Sequence, residues 1–331
     1  MRVADTINGF REVYMRYCYG VDMGGTTIKM GRFDQKGVLC EKWEFPTRVS
    51  AGMSAMMGDI AENILTNMAK NEIAREQVMG TAIGVAGPVE ADGYTESCVN
   101  LNMYDFNPNT ILEPLLGGIT VYTANDANLA ALGELWQGGG KGCKNMVFVT
   151  LGTGVGSGVI LDGKILYGTH GLAGEIGHIC VNPEEPLRCN CGSRGCLDQM
   201  ASATGIVRNA SRMLAAEAQP SVLRSIPDFS AKDVFDAAKA GDEIAQKALD
   251  YCLHFLGKCL AGVSYVVDPE IFVIGGGVSR AGDYLLEIIE RHFKKYPLLK
   301  KATARFALAT LGNDAGIYGC AKLVLQHNGN G

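Results

Sequence analysis

Short apolar runs separated by glycine- and threonine-rich turns organise the first part of the chain. Runs of about four to eight residues rich in β-branched and aromatic side chains are typical of strands. Apolar positions three or four residues apart, such as Met53, Met56, Met57 and Ile60, are typical of an amphipathic helix. These patterns predict strands at residues 17–23, 27–33, 38–45, 78–85 and 119–123, and helices at residues 53–68 and 127–136.

A second group of elements begins at residue 146 and repeats the order of the first. When Gly24 is placed on Gly152, each part reads strand, glycine–threonine turn, strand, aspartate turn, strand. A duplicated unit with one such turn in each copy is suited to binding a polyphosphate group between the two turns. The alternative is a three-stranded meander that is repeated by chance. Later patterns predict a strand at residues 271–274 and helices at residues 202–216, 231–240, 243–266, 282–296 and 315–326.

Composition narrows the class of protein. The net charge is −5 and no long basic run is present, which argues against nucleic acid as the main partner. The uncharged stretch at residues 146–161 is too short and too polar to span a membrane. The eleven cysteines are mostly scattered, and the start of the chain shows no secretory signal, so we expect reduced thiols in the cytoplasm. With 43 glycines clustered at the ends of apolar runs, the chain is expected to be a soluble α/β enzyme.

The two glycine-rich turns match neither common phosphate-binding motif. No Walker A motif is present, and Ser157 stands where a G-x-G-x-x-G motif would have its third glycine. Glycines still allow close backbone approach to phosphate oxygens, and Asp22 at a strand end could hold a water bound to Mg²⁺. The alternative is two tight hairpins with a capping aspartate. Lys29 is interpreted as a solvated strand residue.

A cluster of cysteines predicts a metal site. Cys189, Cys191 and Cys196 fall within eight residues, and His178 lies eleven residues upstream. Three thiolates and one imidazole suit a closed tetrahedral Zn²⁺ site, which leaves no open position and is therefore structural. A set of buried reduced thiols with a core histidine is the alternative.

Asn125 and Asp126 directly precede the predicted helix at residues 127–136. The helix dipole favours a charged carboxylate there, and a charged carboxylate can act as a base. The alternative is that one of the two residues only caps the helix.

In these motifs the chain resembles the ROK family (repressors, open reading frames, sugar kinases) from about residue 18 to residue 326. The motifs that carry the resemblance are Asp22-x-Gly24-Gly25-Thr26, Asn125-Asp126-Ala127-Asn128, Gly152-Thr153-Gly154-x-Gly156, Gly171-x-Ala173-Gly174-Glu175-Ile176-Gly177-His178 and Cys189-x-Cys191-Gly192-x-x-Gly195-Cys196. The resemblance implies an α/β actin-like ATPase (ribonuclease H-like) fold with two lobes and the active site in the cleft. The lobes are expected at residues 18–123 and 124–312, with a C-terminal helix at 314–327 packed back on the first lobe.

The resemblance also implies residue roles. Asp126 corresponds to the catalytic base of the family, and His178 is expected both to bind zinc and to face the sugar. The residues expected at the sugar are Gly87, Asn100, Asn125, Asp126, Glu175, His178 and Asp198. Those expected at ATP are Asp22, Gly24, Gly25, Thr26, Thr27, Gly152, Thr153, Gly154, Val155, Gly156, Gly276 and Gly277. Asp198 departs from the family, whose kinases usually carry Glu there.

The expected activity is therefore ATP-dependent phosphorylation, with Mg²⁺, of the 6-hydroxyl of a hexose, D-glucose first. Alternatives are a kinase for mannose, fructose, allose or an N-acetylhexosamine, or a sugar-responsive regulator of the same family. Such regulators carry an N-terminal helix-turn-helix domain, for which the residues before the first strand leave no room. The identity of the phosphoryl donor, ATP or polyphosphate, stays open, and a homodimer is expected.

Overall fold

Two five-stranded sheets with helices packed on them make up the computed structural model, which describes residues 15–98, 101–296 and 304–329. The strands are β1 Tyr17–Met23, β2 Thr27–Asp34, β3 Leu39–Pro46, β4 Val78–Val85, β5 Thr95–Cys98, β6 Met103–Phe106, β7 Val121–Asn125, β8 Met146–Leu151, β9 Val155–Leu161, β10 Lys164–Ile165, β11 Ile271–Gly275 and β12 Arg305–Leu308. The helices are α1 Met53–Lys70, α2 Pro108–Leu115, α3 Asp126–Gln137, α4 Leu197–Ala201, α5 Ala203–Ala216, α6 Ala231–Lys239, α7 Glu243–Val267, α8 Asp283–Phe293 and α9 Ala315–His327.

The two sheets have the same topology. The first runs β3-β2-β1-β4-β7 and the second runs β10-β9-β8-β11-β12. In each sheet the three strands that begin the unit are antiparallel neighbours, and the next two strands add in parallel to one edge. The repeat predicted from the glycine turns is therefore a real duplication of the sheet. The first turn is one residue longer, because Met23 pairs with Ile28 whereas Leu151 pairs with Val155.

Helices α3 and α9 pack against each other between the two sheets. A Cβ atom at Gly319 would overlap the carbonyl oxygen of Leu129, and one at Gly133 would overlap the carbonyl oxygen of Ala315. The backbones touch at these glycines, and the surrounding core joins residues of both sheets, such as Phe33 and Phe148. Helix α9 also lies on β1, since a Cβ atom at Gly20 would be 2.6 Å from the Ile317 carbonyl oxygen. The first residues of the two helices, Asp126 and Ala315, both line the space between the sheets.

Each sheet buries its other face under its own helices. Helix α1 supplies Met56, Met57, Ile60 and Ile64 to the core of the first sheet. The larger core of the second sheet is built mainly from α5 to α8. Within the described residues, no helix combines the length and the apolar character needed to cross a membrane.

The strongly periodic elements were predicted within one to three residues of their bounds. Several shorter elements were not predicted at all: the β5–β6 hairpin, α2, α4 and β12. These have four to eight residues and few apolar positions in register. Their structure depends on packing against the main sheets more than on their own periodicity. The bounds of the two lobes stay a prediction.

Candidate active site

A cleft of about 610 Å³ opens between the two sheets. Its walls come from both copies of the repeated unit and from the starts of α3 and α9. Among the lining residues are Asp22, Lys29, Asp126, Glu134, Thr150, Gly156, Gly276, Gly277, Arg280, Thr310 and Gly316. Asp22 at the end of β1 and Thr150 at the end of β8 occupy equivalent places in the duplicated sheets.

Asp126 is the first residue of α3 and is largely buried in the cleft. Its Oδ1 accepts the N–H of Ala127 at 2.8 Å. Burial, helped by the nearby carboxylates of Asp22 and Glu175, raises the pKa of this carboxyl group to about 6, although the hydrogen bond from the Ala127 N–H lowers it. The dipole of α3, expected to favour the charged form, is thus outweighed by burial. A carboxylate with a pKa near 6 is still ionised at neutral pH and is a stronger base than an ordinary aspartate.

Asn125, not Asp126, caps α3. The Asn125 Oδ1 accepts the Asn128 N–H at 3.0 Å, and its Nδ2 donates to the carbonyl oxygen of Gly87, also at 3.0 Å. Gly87 has a φ of 139°, and a Cβ atom there would overlap the carbonyl oxygen of Ser97. The structure therefore brings Gly87 and Asn125 together next to Asp126. Asn100, the other predicted sugar contact of this lobe, lies outside the described residues.

The first glycine turn closes on itself and is tied to β3. The Gly24 N–H donates to the Thr27 carbonyl oxygen at 3.1 Å, and the Thr47 hydroxyl donates to the Gly24 carbonyl oxygen at 2.7 Å. Gly25 and Thr26 at its tip are exposed. Asp22 lies two residues before Gly24. Burial raises the pKa of the Asp22 carboxyl group, and the Lys29 ammonium opposes that shift.

The second glycine turn meets the turn that follows β11. Gly152 donates its N–H to the Gly154 carbonyl oxygen at 2.9 Å. A Cβ atom at Gly276 would lie 2.5 Å from the Leu151 carbonyl oxygen, and Gly276 has a φ of 81°, so only glycine fits this position without strain. Gly276 and Gly277 therefore line the cleft directly beside the second glycine turn.

Glu175 and His178 lie on a short helical turn that is fixed to β9. The Ser157 hydroxyl donates to the Gly174 carbonyl oxygen, and the His178 Nε2 lies 4.0 Å from the Glu175 Oε2. Burial raises the pKa of Glu175, and the neighbouring His178 lowers it. The charge of Glu175 also raises the pKa of Asp126, although neither Glu175 nor His178 is among the residues that line the 610 Å³ cleft.

The four predicted metal ligands form one cluster. One ligand atom from each of His178, Cys189, Cys191 and Cys196 lies within 4.8 Å of all the others. The Cys189 Sγ is 3.9 Å from the His178 Nδ1, and the Cys191 Sγ is 3.6 Å from the Cys196 Sγ. Tetrahedral Zn²⁺ with Zn–S bonds of about 2.3 Å places its ligand atoms about 3.8 Å apart, so the donor set fits this ion. His178 uses Nδ1 on this side, which leaves Nε2 toward Glu175.

Asp198 has a partner that the resemblance does not imply. It lies in the first turn of α4, and its Oδ1 accepts the Val155 N–H at 2.7 Å. The predicted sugar contact is thus, in this structure, bonded to the second glycine turn.

Three charged residues that line the cleft were missed or misread in the sequence. Lys29 was interpreted as a solvated strand residue, but it lines the cleft and its Nζ lies 3.4 Å from the Asn313 carbonyl oxygen. Lys29 pairs with Asp22 across the β1–β2 hairpin, and paired residues point to the same face of a sheet. This pairing with a predicted site residue could have placed Lys29 at the site. Glu134 and Arg280 also line the cleft, and no local pattern marks either of them.

Comparison with known proteins places these features in a family. The family model described as "ROK family" matches residues 18–327. The chain is 43% identical over 316 residues to a glucokinase of Halalkalibacterium halodurans, covering 94% of this chain and 96% of that protein. It is 34% identical to a glucokinase of Thermotoga maritima, covering 94% and 98%.

A solved structure agrees with these sequence comparisons. The ROK family glucokinase of Streptomyces griseus, in complex with glucose and AMPPNP, superposes with a TM-score of 0.71 at 32% identity, covering 94% of this chain and 99% of that one. The predicted actin-like ATPase fold, with two related lobes around a cleft, is confirmed. Sequence motifs, duplicated sheets and relatives agree, and the chain belongs to the ROK family.

Proposed function

We propose that this protein is an ATP-dependent sugar kinase that phosphorylates the 6-hydroxyl of D-glucose. The observation that carries the proposal is the Asp126 carboxyl group, held at the start of α3 in the cleft between the two glycine turns, with a pKa of about 6. The similarity to two bacterial glucokinases over nearly the whole chain supports glucose as the hexose.

Asp126 is the base in this proposal. As the sugar O6 attacks the γ-phosphorus of ATP, the O6–H proton passes to the Asp126 carboxylate, the O6–P bond forms, and the bond between the γ-phosphorus and the β–γ bridging oxygen breaks. ADP leaves with that oxygen. Phosphoryl transfer needs positioning and charge neutralisation more than covalent help, so a single well-placed carboxylate suffices.

The donor side consists of the two glycine turns and the turn at Gly276 and Gly277. The hydroxyls of Thr26, Thr27 and Thr153 are the proposed donors to phosphate oxygens, together with the backbone N–H groups of the turns. The N–H groups of Gly24, Gly152 and Val155 are not included, because they already donate within the protein. Burial raises the pKa values of Asp22 and Asp126, and the charge of Asp22 raises that of Asp126 further. Carboxylate oxygens are ligands that Mg²⁺ prefers, and Mg²⁺ bound with ATP would offset this negative charge.

The acceptor side combines the two lobes. The proposed contacts for the sugar hydroxyls are Gly87 from the first lobe, Asn125 at the end of β7, and Glu175 and His178 from the second lobe. Asn100 remains a predicted contact. Carboxylate, amide and imidazole groups supply both donors and acceptors for hydroxyls. The sugar contact expected from Asp198 stays a prediction and is not part of this proposal, because its Oδ1 accepts the Val155 N–H.

We also propose that His178, Cys189, Cys191 and Cys196 hold a structural zinc ion. Bound there, the metal would fix the turn that carries Glu175 and His178, and the Nδ1 contact would set the tautomer of the imidazole.

All eleven cysteines are unpaired in the structure, which supports the proposal of a reducing, cytoplasmic location. The expected homodimer stays a prediction, to be tested by light scattering.

The decisive experiment is a coupled ADP-release assay with purified protein, ATP and Mg²⁺ across glucose, mannose, fructose, allose and the N-acetylhexosamines. We expect the highest kcat/KM with glucose, and no turnover by Asp126→Asn under the same conditions. A preference for another sugar would correct the substrate, and the absence of turnover with every sugar would overturn the proposal. Polyphosphate in place of ATP tests the alternative donor.

A further inference from the structure

Asp198 links the segment after the predicted zinc ligands to the second glycine turn. It is the second residue of α4, whose N-cap is Cys196, so its carboxylate projects from the start of a short helix. Its Oδ1 lies 2.7 Å from the Val155 backbone nitrogen. A Cβ atom at Gly154 would lie only 2.6 Å from the same oxygen, so the carboxylate sits directly against this glycine.

The same segment holds the rest of the turn. The Ala203 N–H donates to the Gly152 carbonyl oxygen at 2.8 Å, and the Thr204 hydroxyl donates to the Thr153 carbonyl oxygen at 3.0 Å. The turn between β8 and β9 is thus held at successive residues by one stretch of chain. Of these contacts, the one from Asp198 is made by an ionisable side chain.

We propose that Asp198 is a positioning residue for the phosphate donor: by accepting the Val155 N–H it fixes the second glycine turn so that the other N–H groups of the turn face the phosphates of ATP. The proposal rests on the function proposed above for that turn. A glycine turn has wide conformational freedom, so its N–H groups converge on an anion only when other contacts restrict it. A carboxylate acceptor makes a stronger hydrogen bond to a backbone N–H than a neutral acceptor does.

This role differs from the one implied by the family resemblance, in which a Glu contacts the sugar. The aspartate side chain is one methylene shorter, and in this chain it bonds the loop that leads into Gly156 on the cleft wall. Asp198 therefore acts on the donor side, through the backbone of the turn, and need not touch either substrate.

The test separates donor binding from sugar binding. Titration calorimetry with the non-hydrolysable analogue AMPPNP and Mg²⁺, and KM values for ATP and glucose, are measured for Asp198→Ala and Asp198→Asn. For Asp198→Ala we expect AMPPNP affinity to fall and the KM of ATP to rise about 10-fold or more, with the KM of glucose within about 2-fold of wild type. Asp198→Asn keeps an acceptor oxygen of the same reach, so it should recover most of the loss.

Two further variants change the Asp198 contact from the side of the turn and the neighbouring contact from Thr204. In Gly154→Ala the new Cβ atom displaces the carboxylate, so this variant should lose AMPPNP affinity, and combining it with Asp198→Ala should add little. Thr204→Val removes the contact to Thr153 and should weaken AMPPNP binding by about 3-fold. Asp283→Ala is the matched control, because Asp283 is an exposed acidic residue in the first turn of α8.

The outcomes are distinct. A rise in the KM of glucose with unchanged AMPPNP affinity in Asp198→Ala would overturn the proposal and return Asp198 to the sugar. Additive losses in the Gly154→Ala and Asp198→Ala pair would also contradict it. If the wild-type protein phosphorylates no sugar, the proposed function fails, whereas the AMPPNP titration still decides the role of Asp198.

Discussion

The Glu134 carboxylate accepts the backbone N–H of Leu311 at 2.8 Å and so ties α3 to the loop that precedes α9. It also accepts N–H groups from Gly139 and Thr310, and it is fully buried. The helix that begins with the proposed base thus anchors, two turns later, a loop that lines the cleft. A buried carboxylate is stable only when its oxygens have such donors.

Glu134→Ala is expected to destabilise the protein strongly, because it truncates a fully buried side chain and leaves three backbone N–H groups without their carboxylate acceptor. We expect a loss of about 3 kcal/mol or more in the free energy of unfolding, measured by urea denaturation. Glu62→Ala on the exposed face of α1 is the control and should change stability by less than about 0.5 kcal/mol. Equal stability of the two variants would show that Glu134 has no anchoring role.

The rate of sugar phosphorylation should fall as the pH drops through about 6. Asp126 accepts the proton only when ionised, and burial holds its pKa at about 6. Because the negative charge of Glu175 raises that pKa, Glu175→Gln should move the acidic limb of the kcat/KM profile to lower pH. Asp283→Asn should leave the limb in place. A profile that stays flat down to pH 5 would remove Asp126 as the base.

Asp126→Asn should also make the unliganded protein more stable at pH 8. A carboxyl group whose pKa is higher in the folded chain destabilises the fold where it is ionised, so the cost is present above pH 6 and fades as the pH falls toward the unfolded pKa near 4. We expect a gain of about 1–3 kcal/mol at pH 8, shrinking at pH 5, in urea denaturation at each pH. A gain that does not change with pH would point to packing instead of charge.

Loss of the proposed zinc ion should lower both the stability of the protein and its affinity for sugar. Elemental analysis of the purified protein should find about one zinc ion per chain. Cys191→Ala should lower the Tm and raise the KM of glucose, because the turn with Glu175 and His178 loses its anchor. Cys40→Ala, which removes an exposed thiol far from the cluster in sequence, is the control. Metal-free protein with unchanged Tm and activity would refute the structural zinc.

The contact between α3 and α9 gives a test that depends on packing alone. Gly319→Ala places a methyl group on the Leu129 carbonyl oxygen and should destabilise the protein by several kcal/mol or prevent folding. The same change at Gly58, a helical glycine of α1 with open space around it, should stabilise the protein by about 0.5–1 kcal/mol. Similar effects at both positions would mean that the two helices can separate without cost.

Most of the secondary structure, the duplication and the Cys/His cluster could be predicted from the sequence alone. The strands on either side of the glycine turns, the long helices and the Cys/His cluster all follow from local spacing. The structure brings His178, Cys189, Cys191 and Cys196 together as that spacing predicted. The duplication was visible as well, because each copy keeps its own glycine turn. Local patterns suffice for these features since each depends on residues that are neighbours in the chain.

Tertiary structure alone decided how the site is assembled. The proximity of Asp22, Asp126 and Glu175, which raises the pKa of the proposed base, arises from three segments far apart in sequence. The same is true of the Glu134 anchor and of the bond from Asp198 to Val155, a contact that the family resemblance did not imply. Such relationships depend on how the two sheets close on α3 and α9, and the burial and electrostatic fields that this packing creates have no signature in the local sequence.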